Sequence, residues 1–387
     1  MHIERFHATK IRNAKGDWAI ELETQGYIAS VPSGTSTGVH ESIAFKQDIN
    51  SCIKQINKTD VHITVNRFQD LRQLEHIFGD LGGNPVIASQ ICALRALCKN
   101  NIYDHLTPRP RIPRPLGTCI SGGAHAHGVR PDFQEFLVVA PFTKTFFESR
   151  LANMAVYKRV QELLQQNDPN FSHQTNMEGD WQTSLSNIQA LDLLKKATKD
   201  ISIKLGFEIK IGLDIAASNF FKDGLYHYKN FSEDKKERTL NRDDQLAFID
   251  GLIDTYKLYY VEDPMHEDDF RGFSGLNHHK CLLVGDDLTC TNPVLLARSI
   301  KEDSINSIII KANQIGSIPD MAHTIRLAKR KNIIPIMSHR SGETTDTWLA
   351  DFAVGFDTPF IKCGIFGPER TSKLDVLQEI ERTILKV

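Results

Sequence analysis

Apolar and polar positions alternate over the first 32 residues. In "WAIELETQGYIASVP", Trp18, Ile20 and Leu22 fall on one side of an extended chain and Gln25-Gly26 supplies a turn, which predicts a small antiparallel sheet. The period then lengthens. In "GGNPVIASQICALRALCKN", Ile87, Ile91, Leu94 and Cys98 recur at helical spacing, with Asn84 placed to cap and Pro85 suited to the first helical position. Residues 106–116, "LTPRPRIPRPL", carry four prolines and are expected to be extended and to mark a domain junction whose arginines are solvated. Beyond them the short apolar runs "EFLVV", "IKIGLD", "LYYVE", "CLLVGD", "SIIIK", "IIPIMS" and "FIK" follow one another, most of them separated by helix-like segments such as "IPDMAHTIRLAKRK". Such alternation predicts a parallel sheet with helical crossovers, and this many units suggests a closed barrel. The expected fold is therefore α/β: an α+β N-terminal domain over residues 1–112, then a TIM-like α/β barrel over residues 113–387.

Charge and cysteine usage narrow the function. Lys plus Arg number 46 against 48 Asp plus Glu, so no overall field favours nucleic acid or a membrane surface, and small-molecule chemistry is the better expectation. The seven cysteines are odd in number and form no CxxC pair, which argues against a disulfide framework or a zinc knuckle and fits a reducing cytoplasm. The first residues lack an apolar signal core, and no stretch reaches the length of a membrane span.

In barrels of this kind the chemistry gathers at the rim where strands end, which singles out Glu135, Asp214, Glu262, Asp286, Lys311, His339 with Arg340, and Lys362. Any one acid is as well explained as a strand-end cap or a salt-bridge partner. Asp214, Glu262 and Asp286 on successive strands, however, make three hard oxygen ligands without Cys or His, a set that favours Mg²⁺. A lysine beside such a cation and a second ammonium has its charged form disfavoured, so Lys311 or Lys362 is a candidate base, the alternative being a simple pair with the acids. Arg340 and Ser341 in "SHRSGE" join a planar donor fork to a hydroxyl, which suits phosphate or carboxylate; His339 between them and the strand is equally a packed loop histidine. "VPSGTSTG" reads either as a mobile cover over a phosphate or as a plain surface loop.

Taken in order, "VPSGTSTGVHE", "IGLDIAASNFFKDG", "VEDPMHEDDF", "VGDDLTCTNP", "IIKANQIGS", "SHRSGETTDT" and "IKCG" strongly resemble the enolase family, the phosphopyruvate hydratases of glycolysis, over nearly the whole chain. The resemblance implies an enolase-type barrel and the reversible Mg²⁺-dependent dehydration of 2-phospho-D-glycerate to phosphoenolpyruvate. It implies Asp214, Glu262 and Asp286 as metal ligands, Lys311 as the base at C2, and Lys362 as the group facing the substrate carboxylate. Arg340 and Ser341 would contact the phosphate with His339 close by, and Ser36 would complete a second metal site. His125 in "GGAHA" and Gln134 match substrate-loop residues, while Glu178 in "NMEGD" matches the acid that protonates the leaving hydroxyl, with Glu135 beside it. The family pattern further implies a cytoplasmic homodimer acting on a phosphorylated hydroxy acid. This chain departs from it where "NMEGD" replaces Gly-Asp-Glu-Gly-Gly, where "HAHGVRPDFQ" is one residue longer, where Ser121 replaces an asparagine, and where "NAKGDW" replaces Asp-Ser-Arg-Gly-Asn-Pro, which brings Lys15 in place of an arginine. The last of these bears on the dimer contact, while the others surround the leaving-group end, so the alternatives are a related enzyme for another phosphorylated or phosphonate hydroxy acid and a non-catalytic relative.

Overall fold

The alternating N-terminal run folds into three antiparallel strands, β1 (His7–Arg12), β2 (Trp18–Thr24) and β3 (Tyr27–Val31). A computed structural model describes residues 1–34, 38–276 and 280–385 of the chain. Ile20 and Leu22 are fully buried as the alternation requires, but Trp18 is 42% exposed. It sits at the first position of β2, where Arg12 and Lys10 stack over its ring at 3.5 and 4.5 Å in place of core packing. Helix α1 (Gly83–Cys98) starts earlier than the sequence suggests: Gly82 caps it with φ +116°, and Asn84 and Pro85 lie inside the first turn. Asn84 is drawn away from capping because its side chain donates to the Pro32 carbonyl at 3.2 Å and accepts from Asn313 at 2.8 Å.

Eight strands close the barrel: β4 (Arg114–Ser121), β5 (Glu135–Val139), β6 (Lys210–Asp214), β7 (Tyr260–Glu262), β8 (Leu282–Gly285), β9 (Ser307–Ile310), β10 (Ile334–Ser338) and β11 (Phe360–Lys362). They are joined in chain order, and β11 pairs with β4 to complete the ring. β4 is absent from the sequence reading because its first residues, "RPLG", continue the proline-rich segment. The sheet is not wholly parallel either, since β5 runs antiparallel to both β4 and β6. The linker before β4 lies on the barrel, with Arg111 paired to Asp357 at 2.6 Å and Arg114 donating to the Thr143 carbonyl at 2.8 Å.

Helices α2 (Phe146–Asn167), α3 (Asn187–Leu205), α4 (Arg242–Tyr256), α5 (Pro293–Lys301), α6 (Ile318–Arg330), α7 (Trp348–Gly355) and α8 (Pro368–Leu385) follow the strands. Capping boxes at Thr145/Glu148 and Ser186/Gln189 fix the starts of α2 and α3. One side of each strand packs under these helices. The other side forms a separate cluster, Leu116, Leu137, Val139, Tyr260, Val284, Ile309, Ile336 and Phe360, that fills the barrel. Because side chains alternate with period two, the residue two steps along from each of several plug residues faces the same way. Those residues are Glu135, Glu262, Asp286, Lys311 and Lys362.

Candidate active site

The reversed direction of β5 explains how Glu135 joins the others. As the first residue of an antiparallel strand it pairs in register with Asp214, the last residue of β6, so both carboxylates stand on the rim formed by the ends of the parallel strands. Glu262 pairs in register with Asp214 on its other side, and Asp286 follows the last residue of β8. Lys362, four strands away from β7 in the ring, reaches across the mouth. Its Nζ lies 2.6 Å from Glu262 Oε2, 2.9 Å from Asp214 Oδ2 and 3.0 Å from Glu135 Oε2. Burial would discharge this ammonium, but the three acids outweigh it and hold its pKa well above the usual lysine range.

Lys311 forms a short ion pair with Asp286, which also accepts from Gln314 Nε2 at 2.8 Å. The depressed lysine pKa expected from the sequence belongs to a lysine, Lys311 or Lys362, standing beside Mg²⁺ and a second ammonium; the protein side chains alone act differently on Lys311. Burial does act downward, but Asp286 overrides it and the pKa is raised. For Asp286, burial is likewise outweighed, by Lys311 and then Lys362, and its pKa falls. Glu262 is different. Burial and then Asp214 push its pKa well up, and its Oε1 is buried without a hydrogen-bond partner among the described residues.

At the other end, His125 Nδ1 lies 3.3 Å from Glu135 Oε1 and 3.7 Å from Glu178 Oε2. Burial would depress His125, yet Glu178 and Glu135 lift it to about 9. His339 packs as a fully buried histidine whose backbone N–H donates to the Lys362 carbonyl at 2.9 Å and whose Nε2 is 4.0 Å from Glu178; burial and then Arg370 drive its pKa well down. Gln134 donates to Asp214 Oδ2 at 3.2 Å. The altered turn is held by Asn176, whose side-chain oxygen accepts from the backbone of Glu178 and Asp180, both at 2.9 Å. Its amide donates to the His125 carbonyl at 3.3 Å, so the changed turn and the lengthened loop support each other.

The structure thus brings Asp214, Glu262, Asp286, Lys311, Lys362, Glu135, Glu178, His125, Gln134, His339, Arg340 and Ser341 around one narrow cleft with room for about 30 Å³ of solvent. Ser36 lies outside the described residues. The sequence reading did not assign roles to several further side chains that build the cleft. Asp263 accepts from the backbone of Asp286 at 3.0 Å and Asp287 at 2.7 Å, and Glu41 pairs with Arg340. Arg370, fully buried, donates to the Ser341 carbonyl at 2.9 Å. The doublets "ED" and "DD" were a signal for Asp263 and Asp287; nothing local marked Glu41 or Arg370.

Seven carboxylates, Glu135, Glu178, Asp214, Glu262, Asp263, Asp286 and Asp287, gather there against Lys311, Lys362 and the Glu41-paired Arg340, an excess of buried negative charge that fits a cation. Two triads have ligand atoms within 4.8 Å of one another, Asp263/Asp286/Asp287 and His125/Glu135/Glu178. Asp214 and Glu262 are instead turned towards Lys362. The all-oxygen donor set on adjacent strands and the orphaned Glu262 Oε1 nevertheless suit a hard divalent ion at Asp214, Glu262 and Asp286.

Comparison with known families matches residues 110–386 to the model described as "Enolase, C-terminal TIM barrel domain". Proteins named enolase from Methanothermobacter thermautotrophicus and Methanosphaera stadtmanae are 36% and 35% identical to this chain, each alignment covering 99% of it and 97% of the relative. The enolase of Archaeoglobus fulgidus is 32% identical over 100% of the chain and 98% of its own length.

Proposed function

The chain belongs to the enolase family, and from that premise we propose that it interconverts 2-phospho-D-glycerate with phosphoenolpyruvate and water, using Mg²⁺. The observation that carries this reading is the convergence on one cleft of a lysine, Lys311, and a carboxyl pair, Glu178 and Glu135, separated by the Lys362 bridge. A lysine base acting with Mg²⁺ on a carboxylate substrate is the general pattern of the enolase superfamily. Mg²⁺ on Asp214, Glu262 and Asp286 would supply positive charge against the substrate carboxylate and relieve the two lysines of neutralising those acids.

Lys311 Nζ then takes the proton from C2, and Lys362 faces the carboxylate where the charge develops. Glu178 delivers a proton to the hydroxyl leaving C3, so the C–O bond breaks with release of water and the C2–C3 double bond forms. Glu135 and His125 fix Glu178 in place through the 3.3 and 3.7 Å contacts. Arg340 and Ser341 receive the phosphate. Residues 1–112 and 113–387 form the two domains, and the protein works as a cytoplasmic homodimer. What supports the last statement is an N-terminal sheet presenting Trp18 and Ile28 to the surface, and cysteines that are all free among the described residues.

A coupled absorbance assay for phosphoenolpyruvate, with and without Mg²⁺, tests the reading. Turnover that needs the ion is expected, and full turnover in excess chelator would overturn the metal assignment. One observation favours a second substrate. Asp180, buried beside Glu178 where the family has glycine, adds an acid at the leaving-group end. If the protein exchanges the C2 hydrogen of 2-phosphoglycerate but forms no phosphoenolpyruvate, another phosphorylated or phosphonate hydroxy acid becomes the better substrate.

A further inference from the structure

Arg340 already holds an anion. Glu41 Oε2 lies 3.0 Å from both Nη1 and Nη2, and Oε1 lies 3.1 Å from Nη2, so the carboxylate fills one edge of the guanidinium fork. Both side chains are buried, at 8% and 4% exposure. Gly34 closes in as well, since a Cβ there would stand 2.0 Å from Nη2. The two residues before Glu41 are held more loosely, Val39 N–H to Glu267 at 3.3 Å and His40 to Asp268 at 3.2 Å, both in exposed positions, while Ser42 after it donates its N–H to the Gln314 carbonyl at 2.8 Å. The side-chain grip of residues 39–41 on the site is thus the Glu41–Arg340 pair. A phosphate arriving at the same edge would meet a carboxylate at bonding distance, in a narrow cleft. Two anions at one buried edge of the fork repel strongly.

We propose that Glu41 sets the affinity of the site: in the ligand-free chain its carboxylate occupies the phosphate subsite on Arg340, and a phosphate ligand binds by displacing it. The inference rests on the reading of Arg340 as the phosphate contact and adds a competitor supplied by the chain itself. Binding then carries the cost of breaking a buried, charge-assisted pair, a cost that glutamine at this position would reduce because its amide bonds a guanidinium without a charge.

The test uses the full-length protein with Mg²⁺ and inorganic phosphate as the probe, measured by calorimetry and by inhibition of dehydration, for wild type, Glu41→Gln, Glu41→Asp and Arg340→Met. Glu41→Gln is expected to tighten phosphate about ten-fold, the factor of about 1.4 kcal/mol, and to lower KM for 2-phosphoglycerate without raising kcat. Glu41→Asp, too short to span both nitrogens, should tighten it too, which covers the case in which the first variant folds poorly. A residue that only supports the loop would give weaker binding on substitution, not tighter. If both Glu41 variants bind phosphate no better than wild type while Arg340→Met loses it, the competitor role falls and the Arg340 assignment stands. If Arg340→Met binds phosphate as well as wild type, the assignment itself falls and the inference with it.

Discussion

Two proton carriers at opposite ends of the Lys362 bridge make the half-reactions separable by single substitutions. Lys311→Ala should stop both exchange of the C2 hydrogen with deuterated water and formation of phosphoenolpyruvate. Glu178→Gln keeps the size of the side chain but has no carboxylic proton, so it should cut dehydration by about 10²- to 10⁴-fold and leave C2 exchange visible by NMR. Normal dehydration in Glu178→Gln would move the acid to Glu135. His125 gives a stability test with a definite sign. Its folded pKa, about 9, lies above the ordinary imidazole value, so its contribution is complete below about pH 6.5 and is lost as the pH rises through about 9. The gap in melting temperature between wild type and His125→Gln should therefore be large at pH 6 and shrink by pH 9.5; a gap that widens would refute the pairing. At this scale the sequence was legible where a residue ended an apolar run, as Asp214, Glu262 and Lys311 do. It was opaque for Glu41, which is defined by a partner 299 positions away.

Among elements, the period of two carried furthest: the same alternation that predicts strands also fixes which residues stand above the barrel plug. Strand direction is another matter. An isolated "EFLVV" has no local mark of running antiparallel, and only its pairing with β4 and β6 turns Glu135 towards the site. The start of α1 differs from its local propensity for a related reason. Pro85 suits the first helical position on propensity alone, but the tertiary bonds of Asn84 shift the cap back to Gly82. That glycine has φ +116°, and a Cβ there would lie 2.5 Å from the Ala44 carbonyl oxygen. Gly82→Ala should accordingly destabilise the protein by about 1–3 kcal/mol, read as a lower denaturant midpoint. An unchanged midpoint would mean that the backbone relaxes there without strain.

For the molecule as a whole, the two parts are fastened by buried polar contacts. Arg95 on α1 pairs with Asp346 of the barrel at 2.5 Å, with side chains 13% and 7% exposed, and Trp348 Nε1 donates to the Ser30 carbonyl at 3.0 Å. Removing one partner of such a pair strands the other, so Arg95→Met should cost about 3–5 kcal/mol. Arg111→Met, which breaks a pair on the solvated linker, should cost no more than about 1 kcal/mol. Equal losses in thermal unfolding would argue against a fastened junction. The contacts between the N-terminal sheet and helix and the barrel join residues far apart in the chain and leave no local trace. The order of the strands around the ring sets a timetable for synthesis. β4 and β5 are a local pair that can form soon after the ribosome passes residue 140, and Trp181–Gln182 then pairs with Ile120 and Ser121 on the other side of β4, but residues 114–116 wait for Phe360–Lys362, about 240 residues on. Until then the first half of that strand keeps a raw edge, open to any other chain. A messenger cut short before that point yields a product with two open edges and no lysine to span Glu135, Asp214 and Glu262, a loss of closure and of charge balance in one stroke.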